Sequence, residues 1–207
     1  MLASIIMPAY NEEKTIGKIL KKIPKKYEII VVDDYSSDKT AEIAEKYCKT
    51  IRLEKNMGKG YACRLGAKHA KNENIVFFDT DGQFDAGEIE NLVKELKNSD
   101  MVVGIRNKKN IPFAKRLSNG FARKMINSIT GKKYSDVLCG FKAIKKDRFF
   151  SLDLKKNRYE FESEMMIKAK NFKIKEIPIN VKYNKKGGMG LLQSLKVTWY
   201  LIKEYFR

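Results

Sequence analysis

The first hundred residues alternate short apolar runs with stretches of helical periodicity: "SIIM" then "EEKTIGKILKKI", "EIIVVDD" then "DKTAEIAEKYC", "TIRLE" then "GKGYACRLGAKHA", "NIVFFD" then "AGEIENLVKELK", and finally "DMVVG". A run that is apolar without alternation is buried on both faces, and the interleaved helices supply the crossovers that a parallel sheet needs. The pattern predicts an α/β, doubly wound architecture. Ile16, Ile19, Leu20 and Ile23 form one helical stripe, and Asp38 is placed to cap a helix carrying Ile43, Ala44 and Tyr47.

Beyond residue 105 the alternation loosens. "IPFAKRLSNGFARKMINSITG" predicts a helix after Pro112, "CGFKAIKK" a short strand, "EFESEMMIKAKN" a helix and "KIKEIPINVKY" another strand. A basic glycine loop, "NKKGGMG", precedes a last helix that places Leu191, Leu195, Trp199, Ile202 and Phe206 near one face. Such a face suits a membrane interface or the protein's own core equally. With no linker or repeat, residues 1–207 are expected to form a single domain, the half after residue 105 packing on the half before it.

The polar clusters "PAYNEE", "DDYSSD" and "DTDGQ" each follow the end of an apolar run, so in this architecture they converge on one edge of the sheet, where ligands bind. Asp79 and Asp81 flank Thr80 and, in extended chain, point to the same side. Carboxylates so close favour a cation; Mg²⁺ or Mn²⁺ takes oxygen ligands, one or two carboxylates together with substrate phosphates, and Gln83 can add a carbonyl oxygen. An Asp-x-Asp tripeptide by itself is as readily a turn or a helix cap.

Charge widens the list of partners before it narrows. Lys and Arg number 43 against 25 Asp and Glu, a formal net charge of +18, which favours nucleic acid, phosphorylated small molecules and anionic membrane surfaces alike. The same excess accompanies solubility or a high-temperature origin. Cys48, Cys63 and Cys139 lack metal-ligand spacing and predict buried thiols of a reducing compartment. The opening "MLASIIMPAYNEE" lacks a basic leader, and no apolar run reaches the roughly 18 residues needed to cross a bilayer. A cytoplasmic protein is expected. The lone His69 has no partner motif and receives no catalytic role.

Seven motifs in order, "PAYNEE" (8–13), "VVDDYSSDKT" (31–40), "NMGKG" (56–60), "DTDGQ" (79–83), "GIR" (104–106), "DVLCGFK" (136–142) and "FESEM" (161–165), run along nearly the whole chain. In them the sequence resembles the family-2 glycosyltransferases of GT-A fold, and among these the polyprenyl-phosphate sugar transferases typified by dolichyl-phosphate mannose synthase. The resemblance implies a Rossmann-like, mostly parallel sheet flanked by helices. It implies a nucleotide-sugar site at Pro8, Tyr10, Glu12, Asp33, Asp34, Lys59, Asp79 and Thr80. It further implies that Asp81 and Gln83 ligate Mg²⁺ or Mn²⁺ directly while Asp79 approaches the ribose and the hydrated ion.

The acceptor decides what else is needed. A hydroxyl must lose a proton as it attacks, whereas a phosphate monoester, with a second pKa of about 6, is already largely dianionic near neutral pH and needs only positioning. Arg106 and Ser118 match the family arginine and serine associated with a polyprenyl or dolichyl phosphate, and with Asp81 they form the implied catalytic set. Three departures bear on the acceptor: Ala114 stands where the family often has an arginine, leaving Lys115 or Arg116 to substitute; Phe84, Asp85 and Ala86 replace a His-Pro-Pro stretch; Tyr35 replaces a glycine. A basic residue for the pyrophosphate falls on Lys182, Lys185 or Lys186. The absence of a Gln-x-x-Arg-Trp motif favours single transfer over polymerisation.

The implied enzyme is inverting and peripheral on the cytoplasmic membrane face, with an anionic membrane surface as partner and no nucleic acid. A hydroxyl acceptor is the nearest alternative, with Glu160, Glu162 or Glu164 as base. A nucleic-acid binder would account for the charge but leaves the ordered acidic clusters unexplained.

Overall fold

All six residues of "SIIMPA" are buried, which places this strand, β1 (Ser4–Ala9), at the centre of the sheet. The computed structural model describes residues 1–107, 113–182 and 191–206. After β1 follow α1 (Ile16–Leu20), β2 (Glu28–Asp33), α2 (Thr40–Glu45), β3 (Lys49–Arg52), α3 (Lys59–His69), β4 (Asn74–Phe77), α4 (Ile89–Glu95), β5 (Met101–Arg106), α5 (Phe113–Thr130), β6 (Lys142–Lys145), α6 (Lys146–Ser151), α7 (Glu160–Lys168), β7 (Ile174–Ile179) and α8 (Leu191–Tyr205). Together they form the GT-A architecture expected of the motifs.

The seven strands lie in the order β3, β2, β1, β4, β6, β5, β7. Pairing is parallel between β1 and β2, β1 and β4, β2 and β3, and β5 and β7. Among the strands of the described residues only β6 runs against its neighbours, β4 and β5. Because β6 opposes both, β4 and β5 point the same way, and the carboxyl ends of β1, β2, β4, β5 and β7 share one edge.

Alternate strand residues supply two cores. Ile6, Ile30, Val32, Phe77 and Val103 face α3, α5, α7 and α8, while Ile5, Met7, Val31, Val76 and Val102 face α1, α2 and α4. Burial on both faces explains the unbroken apolar runs.

Two helices are shorter than their periodicity predicts. The Ile16, Ile19, Leu20 and Ile23 stripe is buried, yet α1 begins only at Ile16, because Glu12 N donates to Thr40 Oγ1 at 2.7 Å and Glu13 N to Asp38 Oδ2 at 3.2 Å. Asp38 also accepts from Thr40 N, at the first residue of α2, at 3.0 Å, although the N-cap position itself falls on Lys39. That helix stops at Glu45, leaving Tyr47 beyond it and exposed.

Of the apolar residues placed near one face of the last helix, two are turned outward. Val197, Tyr200 and Leu201 are buried, and Lys156 lies over the Tyr200 ring, whereas Trp199 and Phe206 are 71% and 81% exposed. The side chains of Leu191 and Leu195 lie outside the described residues.

Candidate active site

The register pairs Ala9 with Asp33 across β1 and β2, and Ile6 with Phe77 across β1 and β4, so the residues that follow all emerge at one edge. They border a cleft of about 520 Å³. Pro8, Tyr10, Glu12, Asp34, Lys59, Asp79, Thr80 and Asp81, eight of the predicted site residues, line it. Ala9, Asn56, Gly58, Arg158 and Tyr159 complete the wall. Arg158 and Tyr159 were not singled out from the sequence, although only Glu160 separates them from "FESEM".

Fully buried Phe78, packed edge-on to Phe141 at 5.0 Å, anchors the chain just before Asp79. Asp79 then meets Lys59, whose Nζ lies 2.7 Å from Asp79 Oδ1 and 2.6 Å from Glu162 Oε1. Burial lowers the Lys59 pKa, but the two acids outweigh it and raise the net value well above an ordinary lysine. Lys59 is thus a fixed cation in the cleft. Gly140 packs so closely on Asp79 and Lys59 that any side chain there would collide with both.

Thr80 ties the loops together, its hydroxyl donating to Pro8 O at 2.9 Å. Thr15 Oγ1 lies 2.8 Å from Thr80 O and 2.7 Å from Glu12 Oε2. Glu12 has a raised pKa, mainly from burial, with Asp81, Asp38 and Asp79 adding to it.

Gln83 points toward Asp81 rather than lining the cleft. Its backbone N donates to Asp81 Oδ1 at 3.1 Å and its Nε2 to Oδ2 at 2.7 Å, an arrangement that fixes the carboxylate. The oxygen donors of Asp79 and Asp81 suit Mg²⁺ or Mn²⁺. Among the described residues no three His, Cys, Asp or Glu gather into a self-sufficient metal site. An ion held here would need further ligands from outside these side chains.

The double acid divides its tasks. Asp34 lines the cleft while accepting from Met57 N at 2.6 Å and Gly58 N at 2.8 Å, and burial raises its pKa despite these bonds. Asp33 is buried outside the lining; its Oδ2 accepts from Ser36 N at 3.1 Å. The Asp34 bonds hold "NMGKG" in place. Gly58 has φ +92°, and a Cβ there would sit 2.5 Å from Asn157 O, so glycine is what lets residues 156–158 close the cleft.

Arg106 and Ser118 lie apart from this cleft. At the end of β5, Arg106 grips Asp136 in a bidentate pair, Nε to Oδ2 at 2.7 Å and Nη2 to Oδ1 at 2.8 Å. Beside the pair is a small pocket of about 70 Å³ whose lining includes Arg106, Arg116, Arg123 and Asn119. Ser118 is half-buried on α5 and lines neither cavity. Of the two residues weighed as substitutes at Ala114, Arg116 reaches the pocket, while the side chains of Ala114 and Lys115 lie outside the described residues.

The three glutamates have different fates. Glu164 accepts from Lys155 N and Lys156 N and pairs with Lys168 at 3.1 Å, a bracing role. Glu162 is held by Lys59, and Glu160 is half-buried on the first turn of α7. Lys182 lines a neighbouring groove rather than the cleft, and Lys185 and Lys186 lie outside the described residues. All three cysteines are free; burial pushes the Cys139 thiol up to about 12. His69 is exposed at the end of α3, beside Lys49.

A dolichol-phosphate mannosyltransferase of Pyrococcus furiosus is 30% identical over 227 residues, covering 98% of this chain and 64% of that protein. A human dolichyl-phosphate beta-glucosyltransferase is 32% identical over 216 residues, covering 86% of this chain and 66% of its own length. The chain thus spans about two thirds of both relatives. Among solved structures, glucosyl-3-phosphoglycerate synthase of Mycobacterium tuberculosis, crystallised with Mn²⁺, UDP and glucosyl-3-phosphoglycerate, shares the fold with a TM-score of 0.81 at 18% identity, over 100% of this chain and 80% of that one. The profile described as Glycosyl transferase family 2 matches residues 4–150, and with the relatives and the acid-lined cleft it establishes that the chain belongs to this family and is a glycosyltransferase.

Proposed function

We propose that this glycosyltransferase moves a single sugar, with inversion, from a UDP- or GDP-linked donor to a polyprenyl or dolichyl phosphate at the cytoplasmic face of a membrane. The observation that carries the reading is the pairing of two sites on one sheet edge. One is an acidic cleft with a fixed lysine, and the other a small pocket bordered by three arginines. The first suits a nucleotide diphosphate and the second a phosphate nucleophile. A hydroxyl acceptor would need a base, and of the three candidate glutamates Glu162 and Glu164 are already engaged by Lys59 and by backbone N–H groups, which leaves it Glu160 alone.

Asp81, with Asp79 near it, would hold Mg²⁺ or Mn²⁺, which when bound neutralises the diphosphate that leaves as the sugar–phosphate bond breaks. Gln83 orients Asp81, and Lys59 places a further positive charge where the leaving group gains its negative one. Asp34 and the "NMGKG" loop shape the nucleotide wall. Arg116 and Arg123 position the acceptor phosphate, whose oxygen displaces the leaving group from the opposite face of the sugar. Arg106, neutralised by Asp136, sets the rim of that pocket.

A thermal-shift series tests the donor. UDP- and GDP-sugars with Mn²⁺, Mg²⁺ or chelator should raise the melting temperature only with metal and for one base, since a ligand that binds the folded state stabilises it. No shift with any nucleotide sinks the donor assignment. For the acceptor, Arg123→Ala is expected to raise KM for a short polyprenyl phosphate about tenfold, the worth of one charge-assisted hydrogen bond, with nucleotide binding unchanged. An unaltered acceptor KM removes the arginine pocket from the reading.

Membrane attachment is supported by the exposed Trp199 on α8 and Phe206 just beyond its end, in a protein with charge +18. No described helix is long and apolar enough to cross a membrane. Trp199→Glu with Phe206→Glu should weaken sedimentation with anionic vesicles without changing the melting temperature. Equal sedimentation would show that this face is not the one that attaches.

A further inference from the structure

Between α1 and the segment 82–86 lies a second groove of about 290 Å³, walled off from the nucleotide cleft by the loop that carries Asp81. Four lysines converge on it: Lys14, Lys18 and Lys22, four residues apart along one side of α1 and its flanks, and Lys182 from beyond β7. Ile19 and Phe84 give it an apolar floor. One acid also lines it, Asp85, whose Oδ1 accepts from Gly87 N at 3.0 Å.

Some other lysines on this face have acidic partners. Lys26 and Lys94 both reach Glu90, and Lys175 reaches Glu95. No ion pair to the side chains of Lys14, Lys18, Lys22 or Lys182 is found among the described residues. Four like charges around one concavity repel each other, and a multivalent anion converts that repulsion into binding. A lysine ammonium is a compact, mobile donor suited to phosphate oxygens, and the apolar floor suits a ligand whose phosphate sits on a hydrocarbon stem. The size falls near the lower end of ligand cavities, roughly 300 Å³.

We propose that this groove binds a phosphate group carried on an apolar stem, at a site separate from the nucleotide cleft. The phosphate is either the headgroup of an anionic lipid or part of a soluble phosphate ester. Lys18→Glu with Lys22→Glu changes the groove without touching a residue placed in the cleft or the arginine pocket. Lys68→Glu with Lys71→Glu makes the same change of charge at the opposite edge of the sheet and controls for the overall +18.

The full chain and both variants are compared in two arms: sedimentation with phosphatidylglycerol vesicles, and thermal shift with glycerol phosphate against chloride at equal ionic strength. A groove variant bound roughly tenfold more weakly than the control to vesicles assigns the site to a lipid headgroup. Loss of a glycerol phosphate shift that the control retains assigns it to a soluble ester. Groove and control variants that behave alike in both arms overturn the proposal. UDP- and GDP-sugar shifts, measured on the same samples, show separately whether the nucleotide cleft is intact.

Discussion

Replacing Asp81 with alanine is expected to lower kcat/KM for sugar transfer by roughly 10²–10³, the range seen when one group that stabilises developing charge is removed. The fold should survive. Asp81 is only half-buried, and its removal takes an acceptor from Gln83, whose Nε2 and backbone N donate to it. Leaving these donors without that acceptor costs about 1–3 kcal/mol. The contrast separates chemistry from folding: transfer collapses while the melting temperature moves modestly. Asp81→Asn keeps an acceptor for Gln83 and should recover most of the stability but little of the activity. Transfer measured over a Mn²⁺ titration is the check, and wild-type turnover in Asp81→Ala would remove this carboxylate from metal binding.

Local physics made much of this arrangement readable before any coordinates. Short unbroken apolar runs at Ile5, Ile6 and Met7, or Ile75 to Phe78, alternating with helical stretches, read as strands covered on both faces, and polar clusters after parallel strands then meet at one edge. Eight predicted residues do meet there. What the sequence could not disclose were choices made by distant partners. The run "KAIK" predicts a strand, but its apolar residues say nothing of its direction, and its place between β4 and β5 depends on pairings with Asn74–Phe77 and Met101–Val103.

The same limit applies to side chains. Asp33 and Asp34 are indistinguishable by type, and only the position of the Met57 and Gly58 N–H groups selects Asp34 for the cleft wall. On α8, apolar spacing picked out Trp199 and Phe206, yet docking uses Val197, Tyr200 and Leu201, because the partner surface, not the helix, decides which side is covered. A net charge of +18 likewise concealed an acidic floor, since a sum over the chain carries no information about place.

Arg106→Ala is expected to destabilise the protein by about 3–5 kcal/mol, the cost of leaving one member of a buried ion pair without its partner. Asp136 is 9% exposed and Arg106 only 13% by side chain. Burial pushes the Asp136 carboxyl up, but the Arg106 hydrogen bonds and charge outweigh it and hold it below the ordinary carboxylate value. A depressed carboxylate adds stability that is fully present above its unfolded pKa of about 3.9 and is lost as pH falls through the lower folded value. In the variant the largest opposition to burial is gone and only the N–H of residue 106 and the nearby Lys142 charge still favour the carboxylate, so Asp136 takes a proton more readily and the charge need not stay buried. The stability gap should therefore be widest near neutral pH and narrow in acid. Denaturant unfolding of both proteins at pH 7 and pH 4 measures it; a gap under about 1 kcal/mol at pH 7 would mean that solvent, rather than Arg106, satisfies Asp136. This also settles how the acceptor must be tested. Transfer lost in Arg106→Ala confounds unfolding with phosphate binding, whereas Arg123 carries no comparable buried partner in the bonds described, so its removal reads the acceptor pocket directly.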